Sequence, residues 1–475
     1  MTYKNNAMIT RRELLRQISL LTMAGHLEED INRLPLILRP RDNQPLRCCV
    51  YKDRAVVRSK LLPVLGIAAD KDDEFTPLST YAEEALNREK PVNEHILSVV
   101  DEACRSCRQV NYTVTNVCKA CDGRFCELNC PKNAISMQNG KAEIDEAACV
   151  NCGICEKMCP FHAIVYQPVP CMEVCPVDAI DKDAEGHAII NEEKCILCGK
   201  CLESCPFGAI MERSHLVDIL KAMQNKKELI ALVAPALAGQ FQAEWKQILE
   251  AVQYAGFAKV VEVAEGADTC AENEAKEWEA LMKDGQPIMT TSCCAAYTNL
   301  AKKHLPNISE YVSHTKTPLY YTAEKVRKEN PEALLVFISP CVAKRGEVEA
   351  SEFIDFNMSV EELGTFMVAK GIEISQIDAN NIKLHASDDG RGFAMTGGVT
   401  EAVKKYLSDD TEIKAELING ITKSEVKKLK RLKPEKAGFN FLEVMACEGG
   451  CVNGCNTIAR CAVATRQIQK IIKNK

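Results

Sequence analysis

Sixteen of the 26 cysteines in this 475-residue chain lie between Cys104 and Cys205, and that crowding constrains the fold more than any other feature. One short pattern recurs there four times, as Cys130-Pro131-Lys132-Asn133-Ala134-Ile135, Cys159-Pro160-Phe161-His162-Ala163-Ile164, Cys175-Pro176-Val177-Asp178-Ala179-Ile180 and Cys205-Pro206-Phe207-Gly208-Ala209-Ile210. Repetition at this fidelity means one small structural unit used four times. How the thiols are read depends on compartment. The start, Met1 to Asn6, lacks the charged-then-apolar pattern of a secretory signal. No apolar run reaches the roughly 18 residues of a membrane span. A cytoplasmic protein is therefore expected, and in a reducing compartment such spacings mean metal rather than disulfides. The net charge of −7 argues against nucleic acid as the main partner.

Two runs, Cys149-x2-Cys152-x2-Cys155-x3-Cys159-Pro and Cys195-x2-Cys198-x2-Cys201-x3-Cys205-Pro, have the bacterial ferredoxin spacing. There, three close thiolates hold one 4Fe-4S cubane and the fourth reaches its neighbour. That crossing rule groups Cys149, Cys152, Cys155 and Cys205 on one cluster, and Cys195, Cys198, Cys201 and Cys159 on the next. Structural zinc is the competing use of such spacings, disfavoured here by the Cys-Pro ending. Eight further cysteines suffice for two more cubanes, grouped by the same rule as Cys118, Cys121, Cys126 with Cys175, and Cys104, Cys107, Cys130 with Cys171. Two to four such clusters are expected, and the count is better founded than the pairing.

The length favours two or three domains. Residues 1–100 read as a small helical region, with Ile9, Leu14, Leu15, Ile18 and Leu21 at helical spacing and a second helix from Ser79. Residues 101–215 form the cluster region, of ferredoxin-like α+β type. From 216 to 475 strands alternate with helices, an α/β pattern. Strands are expected at 229–234, 258–264, 287–291, 334–339 and 439–446. Helices are expected at 240–255 and from Ser359, where Ser359-Val360-Glu361-Glu362 is a capping box.

Three cysteine motifs follow these strands without ferredoxin spacing: Thr291-Ser292-Cys293-Cys294, Ser339-Pro340-Cys341-Val342-Ala343-Lys344, and Glu443-Val444-Met445-Ala446-Cys447-Glu448-Gly449-Gly450-Cys451. Cys294, Cys341, Cys447 and Cys451 provide four thiolates for one more cubane, and Cys293 is left as a free thiol. Glycines 449, 450 and 454 are expected to let backbone approach a bulky cofactor.

In order and content these motifs resemble the signature motifs of the FeFe hydrogenases, and the likeness runs from about residue 228 to the C-terminus. The resemblance implies a catalytic domain of two lobes of mainly parallel sheet flanked by helices. It implies an H-cluster whose cubane is held by Cys294, Cys341, Cys447 and Cys451. Cys451 would bridge to a diiron unit carrying CO, cyanide and a dithiolate amine. Lys344 would donate to a cyanide, Met445 would pack against the diiron unit, and Pro235 and Ala236 would line its pocket, as would Thr396-Gly397-Gly398-Val399 nearby. The family's Cys, Glu, Ser, Glu proton path matches Cys293, Glu274, Ser313 and Glu277. Taken from the sequence alone, the two carboxylates would pass for a solvated helix face. The chain departs from the family's best-known members in having Ala295, Ala296 and Tyr297 after the paired cysteines, Ser339 before Pro340, and Cys455 in the final glycine run. Reversible hydrogen turnover is implied, with ferredoxin or a similar carrier as redox partner and maturation proteins supplying the diiron unit. A hydrogen sensor with slow turnover, or an iron–sulfur scaffold without the diiron unit, are the alternatives. Cys48, Cys49, Cys270, Cys455 and Cys461 have no assigned partner and read as inert thiols.

Overall fold

Strand Leu229–Val233 is apolar along its whole length because both of its faces are covered, the mark of a central strand in a parallel sheet. The computed structural model describes residues 5–92, 95–104, 107, 110–379, 382–408 and 412–473, so Met1 to Lys4, on which the reading of the start rests, lie outside them. Leu229–Val233 sits between Lys259–Glu262 and Leu334–Ser339, and Phe356–Ser359 completes the sheet, every pair parallel. A second parallel sheet runs Met289–Thr290, Phe441–Met445, Ala415–Asn419. The expected pair of parallel lobes is therefore present, with helices packed on their faces.

Differences from expectation are local. The helix expected from Gln240 begins at Trp245, because Glu244 and Gln247 form a capping box there and Pro235–Gly239 is a tight 3-10 turn. Ala415–Asn419 was not anticipated; it is an exposed edge strand carrying Glu416 and Asn419, so no apolar run announces it. The box at Ser359 forms as expected and starts helix Val360–Ala369.

In the cysteine-rich region, Leu97–Val99 pairs antiparallel with Ile210–Glu212, and inside that bracket Tyr112–Val114 pairs antiparallel with Ile164–Tyr166. Each bracket encloses its own hairpin, Ile135–Gln138 with Lys141–Ile144 in the inner one and Ile180–Lys182 with Ala188–Ile190 in the outer. One ferredoxin-like unit is thus inserted into another.

Helix Asn6–Ala24 starts at Asn5, whose side chain accepts from Met8 N, and stops at left-handed Gly25. With Val50–Leu65 and Leu78–Asn87 it buries Leu14, Ile18, Leu61 and Leu65 in one core with Leu216, Ile219 and Phe366. Arg12 Nε reaches Glu361 at 2.7 Å and Arg88 reaches Asp218 at 2.5 Å. The N-terminal helices are thereby packed onto the first lobe. Among the described residues no helix is long and apolar enough to cross a membrane.

Candidate metal centres and proton path

The four Cys-Pro repeats fold alike, and the reason is backbone geometry. The third residue after each cysteine is left-handed: Asn133, His162, Asp178 and Gly208 have φ of 50°, 49°, 50° and 55°. Asn, Asp, His and Gly are the types that tolerate this conformation. The turn aims the next amide back at the sulfur, with Ala134 N to Cys130 Sγ at 3.3 Å, Ala163 N to Cys159 at 3.3 Å, Ala179 N to Cys175 at 3.2 Å and Ala209 N to Cys205 at 3.4 Å. An N–H donating to sulfur stabilises the thiolate form that iron requires. The exposed His162 therefore has a backbone role.

Three small cavities of like size, each lined by four cysteines, suit the same kind of occupant. Cys118, Cys121, Cys126 and Cys159 line the first, Cys130, Cys149, Cys152 and Cys155 the second, and Cys104, Cys107, Cys171 and Cys205 the third. Cys175 lies in the electrostatic reach of Cys195, Cys198 and Cys201, giving the fourth set. Each grouping expected from sequence changes by one member: Cys130 replaces Cys205 beside Cys149, Cys152 and Cys155, Cys175 replaces Cys159 beside Cys195, Cys198 and Cys201, Cys159 replaces Cys175 beside Cys118, Cys121 and Cys126, and Cys205 replaces Cys130 beside Cys104, Cys107 and Cys171. Crossing does occur, but within each nested unit. The inner strand pair joins the 118–130 run to the 149–159 run, while sequence reasoning had matched 149–159 with the equally regular 195–205.

The other four thiols arrive from the C-terminal ends of strands in both lobes, where open parallel sheets place their sites. Cys294 follows Met289–Thr290 and precedes helix Ala295–His304; Cys341 follows Leu334–Ser339; Cys447 and Cys451 follow Phe441–Met445. Burial and mutual repulsion push Cys341 up to about 11 and Cys451 up to about 12, and drive Cys447 well up. Three thiols that resist ionisation this strongly suit a cationic iron centre, which is what would hold them as thiolates, and Cys294 beside them completes a set of four. Lys344 stands beside them. Burial opposes its charge, but Glu347 at 2.5 Å outweighs that and keeps the ammonium protonated. Met445 is buried and packs in one apolar group with Cys293 and Cys294. Ala236 is buried and Pro235 half-buried at the end of Leu229–Val233.

Helix Ala264–Lys283 turns Glu274 fully inward and leaves Glu277 half-buried. Ser292 N donates to Glu274 Oε1 at 3.4 Å, and Glu274 Oε2 is buried without a partner. Burial, with Glu277 and Glu443 adding, pushes Glu274 up to about 8, and the hydrogen bond from Ser292 N works against this. Ser313 Oγ donates to Glu277 Oε2 at 2.7 Å. Thr315 Oγ1 and His314 N also donate to Glu277, each at 2.7 Å. Burial drives the Cys293 thiol well up, and Glu274 is the carboxylate that raises it most. All four expected path residues are therefore neighbours, from a buried thiol to a half-buried carboxylate.

The glycine expectation is corrected. A Cβ at Gly450 would meet Ala394 O, Met395 Cα and Thr396 N, one at Gly454 would meet Pro340 O, and one at Gly449 would meet Cys461 Sγ. Protein, not a cofactor cavity, is what approaches these positions. Cys455 packs against Gly199 and Val342, between the thiols at 195–201 and those of the inter-lobe site. Sequence reasoning missed Glu443, fully buried, which binds Gly397 N at 2.7 Å and Thr400 N at 2.9 Å and so anchors helix Gly398–Lys404 beside the site. Its place in the third motif, four residues before Cys447, was the available signal.

Residues 227–455 match the family described as iron only hydrogenase large subunit, C-terminal domain; residues 142–165 match a 4Fe-4S binding domain, and residues 165–216 an LdpA Fe-S cluster-binding domain. The chain is 29% identical over 372 residues to the periplasmic Fe hydrogenase large subunit of Nitratidesulfovibrio vulgaris, covering 66% of this chain and 85% of that protein. To iron hydrogenase 1 of Clostridium pasteurianum it is 26% identical over 303 residues, 52% of this chain and 53% of that one. The chain thus spans about half the length of the latter relative. A solved FeFe hydrogenase from Chlamydomonas reinhardtii aligns with a TM-score of 0.42 at 18% identity, covering 55% of this chain and 89% of that chain.

Proposed function

Because the chain belongs to the iron-only, or FeFe, hydrogenase family, we propose that it interconverts hydrogen with protons and electrons. The observation that carries the reading is the meeting of Cys294, Cys341, Cys447 and Cys451 between two parallel lobes, beside neighbouring Cys293, Glu274, Ser313 and Glu277. The H-cluster, held by those four thiolates, supplies the redox chemistry of hydrogen when bound. Lys344 would offer its ammonium to the bound group, Met445 would pack against it, and Pro235 and Ala236 would close the pocket. Cys293 holds a proton at its sulfur. Glu274, with a carboxyl near 8, takes and returns that proton close to neutral pH. Ser313 passes it to Glu277 at the half-exposed end.

The four outer cysteine sets would hold cubanes that supply electron transfer, with ferredoxin or a similar carrier exchanging the electrons. Maturation proteins deliver the diiron unit, and the setting is cytoplasmic, although one relative is named as periplasmic. The division of labour follows 1–100, 101–215 and 216–475, as helical support, wire and catalyst. The test is anaerobic maturation of the full chain, followed by infrared spectroscopy and a two-direction hydrogen assay. Carbonyl and cyanide bands with turnover in either direction are expected. Loss of the bands defeats the proposal, and bands with only trace turnover favour a sensor.

A further inference from the structure

A cavity of about 1250 Å³, counted with its open mouth, lies where the N-terminal helices meet the outer ferredoxin-like unit. Its charged side chains are Arg39, Arg47, Lys52 and Lys60 against Asp53 and Glu102, with the Cys48 thiol beside them. Asp53 is already engaged, accepting from Leu46 N at 2.7 Å and from Arg47 at 3.3 Å. Lys60 is the anomaly. It is 3% exposed, donates once, to Phe207 O at 3.0 Å, and has no carboxylate partner among the described residues. Burial, together with the guanidiniums of Arg47, Arg11 and Arg39, holds its ammonium down to about 8, with the Cys205 thiolate working against this.

Burying a cation among other cations, with no carboxylate partner and only the Cys205 thiolate to offset them, is costly, and an apolar residue would fill the same space without that cost. The surplus positive charge is the signature of a missing anion. We propose that this cavity binds a small phosphate-bearing anion, with Lys60, Arg47 and Arg39 as its ligands. Three separate cations converging on one space suit a phosphate better than a carboxylate: phosphate offers more acceptor oxygens, and guanidinium forks match them in pairs.

The site is also electrically coupled to a cluster. Pro206 and Phe207 wall both this cavity and the one lined by Cys104, Cys107, Cys171 and Cys205, and Cys205 lies in the field of Lys60. A bound anion adds negative charge one peptide layer from that cluster and so makes it harder to reduce. This coupling rests on the cluster assignment; the binding itself does not, and neither depends on hydrogen turnover.

Isothermal titration calorimetry of the reconstituted full-length protein at low ionic strength tests the binding, with pyrophosphate and ADP as separate probes for inorganic and nucleotide phosphate. Saturable one-to-one binding of at least one probe is expected. Lys60→Gln and Arg47→Gln should each weaken it by roughly tenfold or more, the worth of one charge-assisted hydrogen bond. The exposed, distant Lys227→Gln should leave it unchanged. Should Lys60→Gln fail to fold, the Arg39→Gln/Arg47→Gln double variant carries the same expectation. No saturable binding of either probe, or equal binding by the cavity variants, overturns the proposal. In a potentiometric electron paramagnetic resonance titration, saturating pyrophosphate should move one cluster to more negative potential, and an unmoved set of clusters overturns the coupling.

Discussion

At Glu274, one carboxyl has both a structural cost and a proton-handling use. The native protein keeps a proton there that the unfolded chain, with a carboxyl near 4.5, gives up. The native state therefore binds more protons, and stability falls as pH rises from about 4.5 to about 8. Glu274→Gln removes that slope. The thermal midpoint of the variant relative to wild type should increase across this window, while hydrogen turnover falls by roughly 10²-fold or more, the usual contribution of a placed acid–base group. Calorimetric scans at several pH values and the hydrogen assay check both halves, and a variant that keeps full turnover removes Glu274 from the path. The left-handed residues of the Cys-Pro loops, Asn133, His162, Asp178 and Gly208, were visible in the sequence as four turn-tolerant types at one repeat position. Only the folded loop explains them.

Elements around the inter-lobe site are held by single buried groups. Glu443 accepts Gly397 N, Thr400 N and Thr400 Oγ1, the last at 2.7 Å, so strand Phe441–Met445 anchors the start of helix Gly398–Lys404. Glu443→Leu should cost about 1–3 kcal/mol by leaving those donors unpaired, read as a lower thermal midpoint and faster amide exchange at Thr400. Contact between the outer cluster unit and the site is equally tight. Gly199, at φ 74°, faces Cys455 so closely that any side chain would overlap its sulfur. Gly199→Ala should destabilise the protein, and adding Cys455→Gly should restore only the part due to the clash, leaving the backbone strain. A double-mutant cycle on thermal stability measures that split.

For the molecule as a whole, nesting one ferredoxin-like unit in another decides which thiols share iron. Cys159→Ala should remove or weaken the cluster of Cys118, Cys121 and Cys126 and leave that of Cys195, Cys198 and Cys201 intact. Iron content and electron paramagnetic resonance of the variant check this, and loss of the second cluster instead would restore the sequence-based grouping. The outer unit is locked to the first lobe by Arg345, whose Nε lies 3.0 Å from Glu212 and whose second nitrogen lies 2.9 Å from Glu362. Asn456 also reaches Glu212, at 2.8 Å. Arg345→Met should cost about 3–5 kcal/mol, because two buried carboxylates lose their counter-charge; a fall in thermal midpoint measures it.

Strands 229–233, 259–262, 334–339 and 441–445 were legible because short apolar runs of strand length need no partner to be recognised. The strand at 415–419 was not, because an exposed edge carries no apolar signal. Ligand identity was likewise written locally, since a thiolate's chemistry and its spacing to the next belong to a few consecutive residues. Partnership was not local. Which run meets which depends on antiparallel pairing across tens of residues, Tyr112 with Tyr166 and Leu97 with Glu212, and spacing alone carries no information about that closure. The same holds for Glu274, whose proton affinity comes from burial between elements far apart in the chain. Sequence by itself determined the donor atoms and the α/β alternation that builds the lobes. Tertiary structure decided the pairing of those donors and the protonation of the path, because both depend on distance and solvent exclusion that only packing creates.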